Sequence, residues 1–289
     1  MVEIYVSWCK GLVLDDFALN ILKSNKLVDG VETRDYLELP SLHKSGLRVS
    51  IHNPIKELKC EAGSVSYLES PYLMNVLENN PYLIENWVKT DTPTLGFHAG
   101  HSAYEEQFLS FSRLIDNANY LCDKIKDKNV IFETHNFPYN FFGKSNQEYT
   151  LHSTGPEFVN ELTTNTDLGF LLDVAHVFIS GNTRILNGLY NGSIEDYFGE
   201  IVESTNERVY QLHVNVPCFE ECKGYFDIHR PFDDSELAHK IIDLTKYVVQ
   251  NSPELKVITL EMDTGLSPLS HVKKLCKQAE YLNSFLNVK

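Results

Sequence analysis

The chain of 289 residues lacks the features that define several common protein classes. No run of about 18 apolar residues is present, so no membrane-spanning helix is expected. Its six cysteines are scattered and no two have CxxC spacing, which argues against a thiolate metal site and for reduced thiols in a cytoplasmic protein. Neither GxGxxG nor the GxxxxGKS/T pattern occurs, so the usual glycine-rich phosphate loops are missing.

Basic residues are also scarce. Lysine and arginine number 25 against 40 aspartates and glutamates, which gives a formal net charge of -15. This balance disfavours a protein that coats nucleic acid, although carboxylates gathered around metal ions would also add negative charge. The first residues, Met-Val-Glu-Ile-Tyr-Val, include an acidic residue and are typical of a first strand, not of a signal peptide.

Short β-rich runs alternate with segments of helical period along the whole chain. Strands are predicted at residues 3–7, 30–34, 48–52, 94–98, 129–133, 169–173, 208–215 and 256–261, and helices at 15–24, 103–126, 156–163, 194–204, 235–250 and 270–286. Eight strands separated by helices predict an α/β fold, a (β/α)8 TIM barrel that forms a single domain over residues 1–289. An open doubly wound sheet is the alternative, but the missing phosphate loop does not favour it.

Metal-ligand side chains occur at or just after the carboxyl ends of six predicted strands. They are His52, His98, Glu133, Asp173, His213 and Glu261. Because the carboxyl ends of barrel strands point to a common mouth, we expect these six side chains to converge. A lone histidine at a strand end is more often structural, but six such endings in register indicate a site.

Two short motifs extend this set. Asp173-Val-Ala-His176 places a second ligand one turn beyond a strand end, and in extended backbone Asp227-Ile-His229 places two side chains on one face. Nine nitrogen and oxygen ligands suggest two or three divalent metal ions with at least one bridging carboxylate. Iron is the metal we favour, with zinc and manganese as alternatives. Glu133, Asp173 and Glu261 are the predicted catalytic residues.

Other residues near the predicted mouth are candidates for substrate binding. His101 and His135 follow strand ends, and Arg230 could hold an anionic group. Two long segments, residues 59–91 and 136–152, are rich in aromatic and polar residues and are expected as loops on the same face.

At these residues the chain resembles the xylose-isomerase-like TIM-barrel superfamily. The ligand order of endonuclease IV, which reads His, His, Glu, Asp-x-x-His, His, Asp-x-His, Glu, is matched in full. That resemblance implies three metals. The first would be bound by His52, His98 and Glu133, the second by Glu133, Asp173, His213 and Glu261, and the third by His176, Asp227 and His229.

The segments 154–180 and 260–269 are similar to those of a second branch, the multinuclear non-heme iron-dependent oxidative enzymes. This resemblance implies iron- and dioxygen-dependent modification of a peptide or small thiol substrate, which is our leading functional hypothesis. An endonuclease IV-like phosphodiesterase acting on abasic-site DNA, and a sugar isomerase or epimerase, are the alternatives. We expect a peptide or small-molecule partner, with nucleic acid disfavoured and no membrane.

Overall fold

The fold is described by a computed structural model. It covers residues 2–8, 16–33, 39–55, 59–60, 63–64, 67–98, 101–103, 107–134, 149–151, 155–221, 224–262 and 268–288. In chain order the elements are β1 (Glu3–Trp8), α1 (Asp16–Ser24), β2 (Gly30–Thr33), α2 (Leu39–Ser45), β3 (Arg48–Ile51), β4 (Lys59–Cys60), β5 (Gly63–Ser64), α3 (Leu73–Asn79), α4 (Tyr82–Trp87), β6 (Thr94–His98), β7 (His101–Ala103), α5 (Gln107–Lys124), β8 (Asn129–Glu133), β9 (Tyr149–Leu151), α6 (Pro156–Asn165), β10 (Gly169–Asp173), α7 (Val174–Leu186), α8 (Ile194–Ser204), β11 (Val209–Val214), β12 (Val216–Glu220), β13 (Gly224–Arg230), α9 (Glu236–Asn251), β14 (Val257–Leu260) and α10 (Pro268–Leu286).

Eight parallel strands form the central sheet, in the order β3-β2-β1-β14-β11-β10-β8-β6. The two outer strands, β3 and β6, meet through a single parallel bridge between His52 and Gly96, and the amide of Asn53 donates to the carbonyl of Gly96 at 2.8 Å. The sheet therefore closes into a barrel whose seam lies between β3 and β6, and the predicted fold class is confirmed.

Burial explains why the chain alternates between strands and helices. The strands β2, β10 and β14 are buried along their whole length, as expected for strands covered by helices on the outside of a barrel. Helices such as α8 bury one face, and α8 starts at a capping box in which Ser193 and Asp196 satisfy each other's backbone amides. None of the helices in the described part of the chain is long and apolar enough to cross a membrane.

The predicted strands agree with the observed ones to within one or two residues. The helix α7 was not predicted; it follows β10 without a loop, and its residues 174–181 are all buried. The hairpin of β12 and β13 was also not predicted as a pair of strands. Both elements carry residues of the candidate site.

Candidate metal centre

The mouth of the barrel brings the predicted side chains together through strand register. His98 at the end of β6 lies opposite Glu133 on β8, and Asp173 on β10 lies opposite His213 on β11. His52 directly follows β3, and Glu261 directly follows β14. Neighbouring strands in register at their carboxyl ends hold their terminal side chains at one level, so six positions far apart in sequence reach one place.

A first cluster consists of His52, His98 and Glu133. The Nε2 atoms of the two histidines lie 2.7 Å apart, and Oε2 of Glu133 lies 2.9 Å from Nε2 of His52 and 2.5 Å from Nε2 of His98. Two imidazole nitrogens and a carboxylate oxygen that face one another are the donor set of a divalent cation with nitrogen and oxygen ligands. The arrangement fits one ion.

A second cluster consists of Glu133, Asp173, His213 and Glu261, whose donor atoms all lie within 4.8 Å of one another. Nδ1 of His213 lies 2.8 Å from Oε2 of Glu261 and 3.8 Å from Oε1 of Glu133. Glu133 thus directs one oxygen to each of the first two clusters. A carboxylate shared in this way is the arrangement expected of a bridging ligand.

Asp173 connects the centre to helix α7. Its Oδ1 accepts a hydrogen bond from the backbone amide of His176 at 2.9 Å and so caps the helix, while Oδ2 lies 3.8 Å from Nε2 of His176. Helix α7 therefore begins next to the metal-ligand residues, and His176 in its first turn belongs to the third cluster.

A third cluster consists of His176, Asp227 and His229. Oδ2 of Asp227 lies 3.2 Å from Nε2 of His176 and 2.9 Å from Nε2 of His229. Nδ1 of His176 lies 2.8 Å from the carbonyl oxygen of Thr134, and an N–H donated there leaves the lone pair on Nε2 facing the cluster. This is the tautomer that metal ligation requires.

Asp227 and His229 both lie on β13, and their side chains face each other. The backbone at His229 is in the left-handed region, with φ of 50°, next to a register shift in the β12–β13 pairing. Non-glycine residues rarely adopt this conformation, and it costs about 1 kcal/mol or more. Nε2 of His229 also lies 3.7 Å from Oε2 of Glu261, which links the third cluster to the second.

The pKa shifts in the centre reflect several buried carboxylates that are stabilised by nearby positive charge. Burial would raise the pKa of Glu133, but His98 and His52 outweigh it and hold that pKa well below its ordinary value. Burial would lower the pKa of His229, but Glu261 and Asp227 raise it to about 9. Burial and nearby carboxylates raise the pKa of Asp173 to about 6, against the opposing effect of His176. Without a metal, protons on the histidines supply the positive charge that the carboxylates need.

Divalent cations fit this donor set. Among the described residues, Oδ2 of Asp173 and Nδ1 of His213 are buried and have no hydrogen-bond partner, although each is within reach of the other donors of the second cluster. Buried polar atoms are rarely left in this state, and ligation by a metal would satisfy both. The donors are imidazole and carboxylate without thiolate, which suits zinc, iron or manganese.

The remaining predicted residues are less closely tied to the centre. Arg230 ends β13 and forms an ion pair with Asp233, with 3.1 Å between Nη2 and Oδ2. His101 begins β7, but its side chain lies outside the described part of the chain, as does the whole of His135. Their predicted roles in substrate binding stay predictions.

Sequence reasoning missed Glu32. This residue lies inside β2, only 2 % exposed, and its Oε1 is 2.9 Å from Nε2 of His213. The prediction of ligands had considered strand ends and the two short motifs beyond them. The available signal was a carboxylate within the predicted strand at residues 30–34, because barrel strands are mostly buried and buried charges need a partner.

No protein-family model matches the chain, and no curated protein matches it in sequence. The fold is nevertheless found in solved structures that cover nearly the whole chain. A xylose isomerase domain protein from Alicyclobacillus acidocaldarius subsp. acidocaldarius is similar at a TM-score of 0.67, with 11% identity over 99% of this chain and 100% of that one. The fold is that of the xylose-isomerase-like TIM barrels.

Two further xylose-isomerase-like barrels have the same fold. Endonuclease IV from Thermus thermophilus gives a TM-score of 0.55 with 12% identity, over 96% of this chain and 99% of that one. An L-ribulose 3-epimerase gives a TM-score of 0.58 with 11% identity, over 100% of this chain and 94% of that one. At such identities the likeness concerns the fold alone.

Proposed function

We propose that this protein is a metal-dependent enzyme that holds two or three divalent ions at the mouth of its barrel. The observation that carries the proposal is the division of nine nitrogen and oxygen donors into three clusters, with Glu133 shared by the first two. A centre of this kind at the carboxyl end of a barrel is where catalysis is expected.

Within this centre we assign separate roles to the carboxylates. Glu133 would bridge two ions, and Glu261 would bind between the second and third clusters, since Oε2 faces His213 at 2.8 Å and His229 at 3.7 Å. Asp173 would bind through Oδ2 while Oδ1 holds the first turn of α7 in place. These three residues are the proposed catalytic carboxylates, because their oxygens lie together in the second cluster.

Iron-dependent oxidation of a peptide or small thiol substrate is the chemistry we favour. Its support is the resemblance of segments 154–180 and 260–269, which contain Asp173 and Glu261, to the iron-dependent oxidative enzymes, whose pattern usually has asparagine in place of His176. Bound iron would supply the means to use dioxygen as the oxidant. The net charge of -15 is also more compatible with a neutral or cationic substrate than with a polyanion.

Phosphodiester hydrolysis is the second candidate. Its specific support is the complete third cluster, because His176, Asp227 and His229 bring the donor set up to the full ligand order of endonuclease IV. Bound divalent ions would polarise the phosphoryl group and stabilise the leaving oxygen.

The deciding experiment measures metals per chain by mass spectrometry, on protein made in iron- and zinc-sufficient medium and purified without oxygen. Two or more irons, with a spectroscopic change on admitting air, would support the oxidative enzyme. Two to three zincs without iron, with cleavage of an abasic-site duplex, would support hydrolysis instead. One ion per chain would favour a sugar isomerase or epimerase that uses the second cluster alone.

Two variants make this test specific to the site. Glu133→Gln is expected to lose at least one ion per chain, because the first two clusters share its carboxylate. Glu254→Gln is the matched control, since Glu254 is exposed and forms an ion pair with Lys256, in the segment that enters β14. The proposal fails if wild-type protein carries no metal, or if Glu133→Gln retains the full wild-type content.

A further inference from the structure

Below the metal centre, a buried polar network crosses the interior of the barrel. Glu32 on β2 directs Oε2 to the side-chain amide of Gln211 on β11, which donates to it at 2.5 Å, and the hydroxyl of Thr259 on β14 lies 3.4 Å from the same oxygen. Thr94 on β6 donates to Oε1 of Gln211 at 2.9 Å. Four strands therefore fix the position of one carboxylate in a part of the barrel that apolar side chains usually fill.

The charge of Glu32 is paired with a histidine. Among the described residues, no lysine or arginine forms an ion pair with it, and the contact it does make is between Oε1 and Nε2 of His213 at 2.9 Å. The distance is that of a hydrogen bond between the two side chains. A buried carboxylate is unfavourable unless it is paired, so Glu32 depends on His213 for charge compensation.

Two roles for Glu32 are compatible with its position. It could bind an additional ion together with His52 and His213, since donor atoms of the three lie within 4.8 Å of one another. It could instead act on His213 without touching a metal. The surroundings of the two ring nitrogens of His213 distinguish these roles, because Nδ1 and Nε2 face different carboxylates.

Nδ1 of His213 faces the second cluster, at 2.8 Å from Glu261 and 3.8 Å from Glu133. A neutral imidazole that binds a metal through Nδ1 carries its proton on Nε2. That proton then points to the side of Glu32, whose Oε2 is already engaged by Gln211 and Thr259. An ion between Glu32 and Nε2 would have to displace the proton and leave His213 as an imidazolate between two metals.

We infer that Glu32 is a positioning residue that accepts the Nε2 proton of His213 and so presents Nδ1 to the metal centre. This inference rests on the proposed metal function and extends it. Gln211 and Thr259 hold the carboxylate in place from below, so the orientation of the His213 ring is set by the barrel interior before any ion binds. Outer-shell carboxylates of this kind fix the tautomer of a ligating histidine and raise its basicity.

The test uses Zn²⁺ alone as the probe, with affinity measured by chelator competition on full-length protein stripped of metal. Glu32→Leu is expected to weaken binding of one ion about 10- to 100-fold, because the Nε2 proton loses its acceptor. Glu32→Gln is expected to lose less than Glu32→Leu, since its amide oxygen can still accept that proton. Thr245→Val is the matched control, because it removes a buried hydroxyl on α9 that bonds to the carbonyl of Ile241.

A second measurement is independent of the variants and of activity. Nitrogen-15 NMR of the Zn²⁺-loaded wild-type protein with labelled histidine is expected to show His213 bound through Nδ1 and protonated at Nε2. Binding through Nε2, or wild-type affinity in Glu32→Leu, would overturn the inference while leaving the metal function standing. If Glu32→Gln and Glu32→Leu each bound one ion fewer than the wild type, the inference would also be wrong, because Glu32 would then be a metal ligand. Wild-type protein that binds no Zn²⁺ and no iron would overturn the proposed function and the inference with it.

Discussion

Replacing Gly96 with alanine tests how closely the first cluster is packed. Gly96 lies on β6 beside the ring of His52, and a Cβ added there would lie 2.7 Å from Nδ1 of His52 and 3.5 Å from Cδ1 of Leu171. The first distance is about 0.7 Å shorter than an ordinary van der Waals contact, whereas the second is acceptable. The ring of His52 must therefore move, and its Nε2 moves with it.

The size of the effect follows from this displacement. Nε2 of His52 lies 2.7 Å from Nε2 of His98 and 2.9 Å from Oε2 of Glu133, so a shift of about 0.7 Å changes the geometry of the first cluster substantially. We expect Gly96→Ala to weaken Zn²⁺ binding at one site by about 10- to 100-fold, the range found when the support of a ligating histidine is disturbed. Overpacking should also lower the free energy of unfolding of metal-free protein by about 1–3 kcal/mol.

Chelator competition measures the affinity, and urea unfolding of metal-free protein measures the stability. Gly199→Ala is the control, because Gly199 lies within α8, where an added Cβ would meet the Tyr247 hydroxyl at 3.3 Å and no metal ligand. Affinity within about twofold of the wild type in Gly96→Ala would refute the reasoning, since it would mean that the position of His52 does not matter to metal binding.

Three further outcomes are expected. Asp173→Asn should leave α7 intact, because asparagine also caps helices, yet weaken Zn²⁺ binding at least as much as Gly96→Ala; urea unfolding and chelator competition separate the two effects. Zn²⁺ affinity should rise with pH up to about 9, because His229 has a pKa of about 9 and must lose its proton to bind metal; calorimetry in buffers of different ionisation enthalpy would count the released protons. Ser193→Ala should lower the free energy of unfolding by about 1 kcal/mol without changing metal content, since it removes only the cap of α8.

For two of these predictions, a specific result would show that the reasoning is wrong. If affinity were flat between about pH 6 and pH 9, the histidines would already be neutral in the metal-free protein, and the raised pKa of His229 would be wrong. If Asp173→Asn kept wild-type affinity, Oδ2 of Asp173 would not be a ligand.

The barrel and the convergence of the ligands could be predicted from sequence because both depend on strand ends. An apolar run that finishes in His98 or Glu133 places a polar side chain where the buried strand reaches the mouth, and parallel register then aligns the ends. The pair Asp227 and His229 was found from its i, i+2 spacing and not from a strand end, and the left-handed backbone at His229 has no signal in the sequence.

Features within the interior of the barrel were harder to predict. Glu32 lies in mid-strand, and its importance depends on a contact with His213, which is far away along the chain and on a different part of the barrel wall. Helix α7 follows β10 without a turn residue between them, so the sequence carries no break that marks where the strand ends and the helix begins. Residues 136–152 have an aromatic and polar composition without a period from which a structure could be predicted.

The seam of the barrel has a consequence for how the protein is held closed. Strands β3 and β6 are adjacent but share one bridge, from His52 to Gly96, whereas their other neighbours are joined by full ladders. The first cluster straddles that junction, with His52 on one side and His98 on the other. An ion bound there would connect β3 to β6 across the junction of the barrel that has the fewest backbone hydrogen bonds among those described. Stripping the metal should therefore open the seam first, and backbone amides next to it should exchange with solvent before those of β1 or β14.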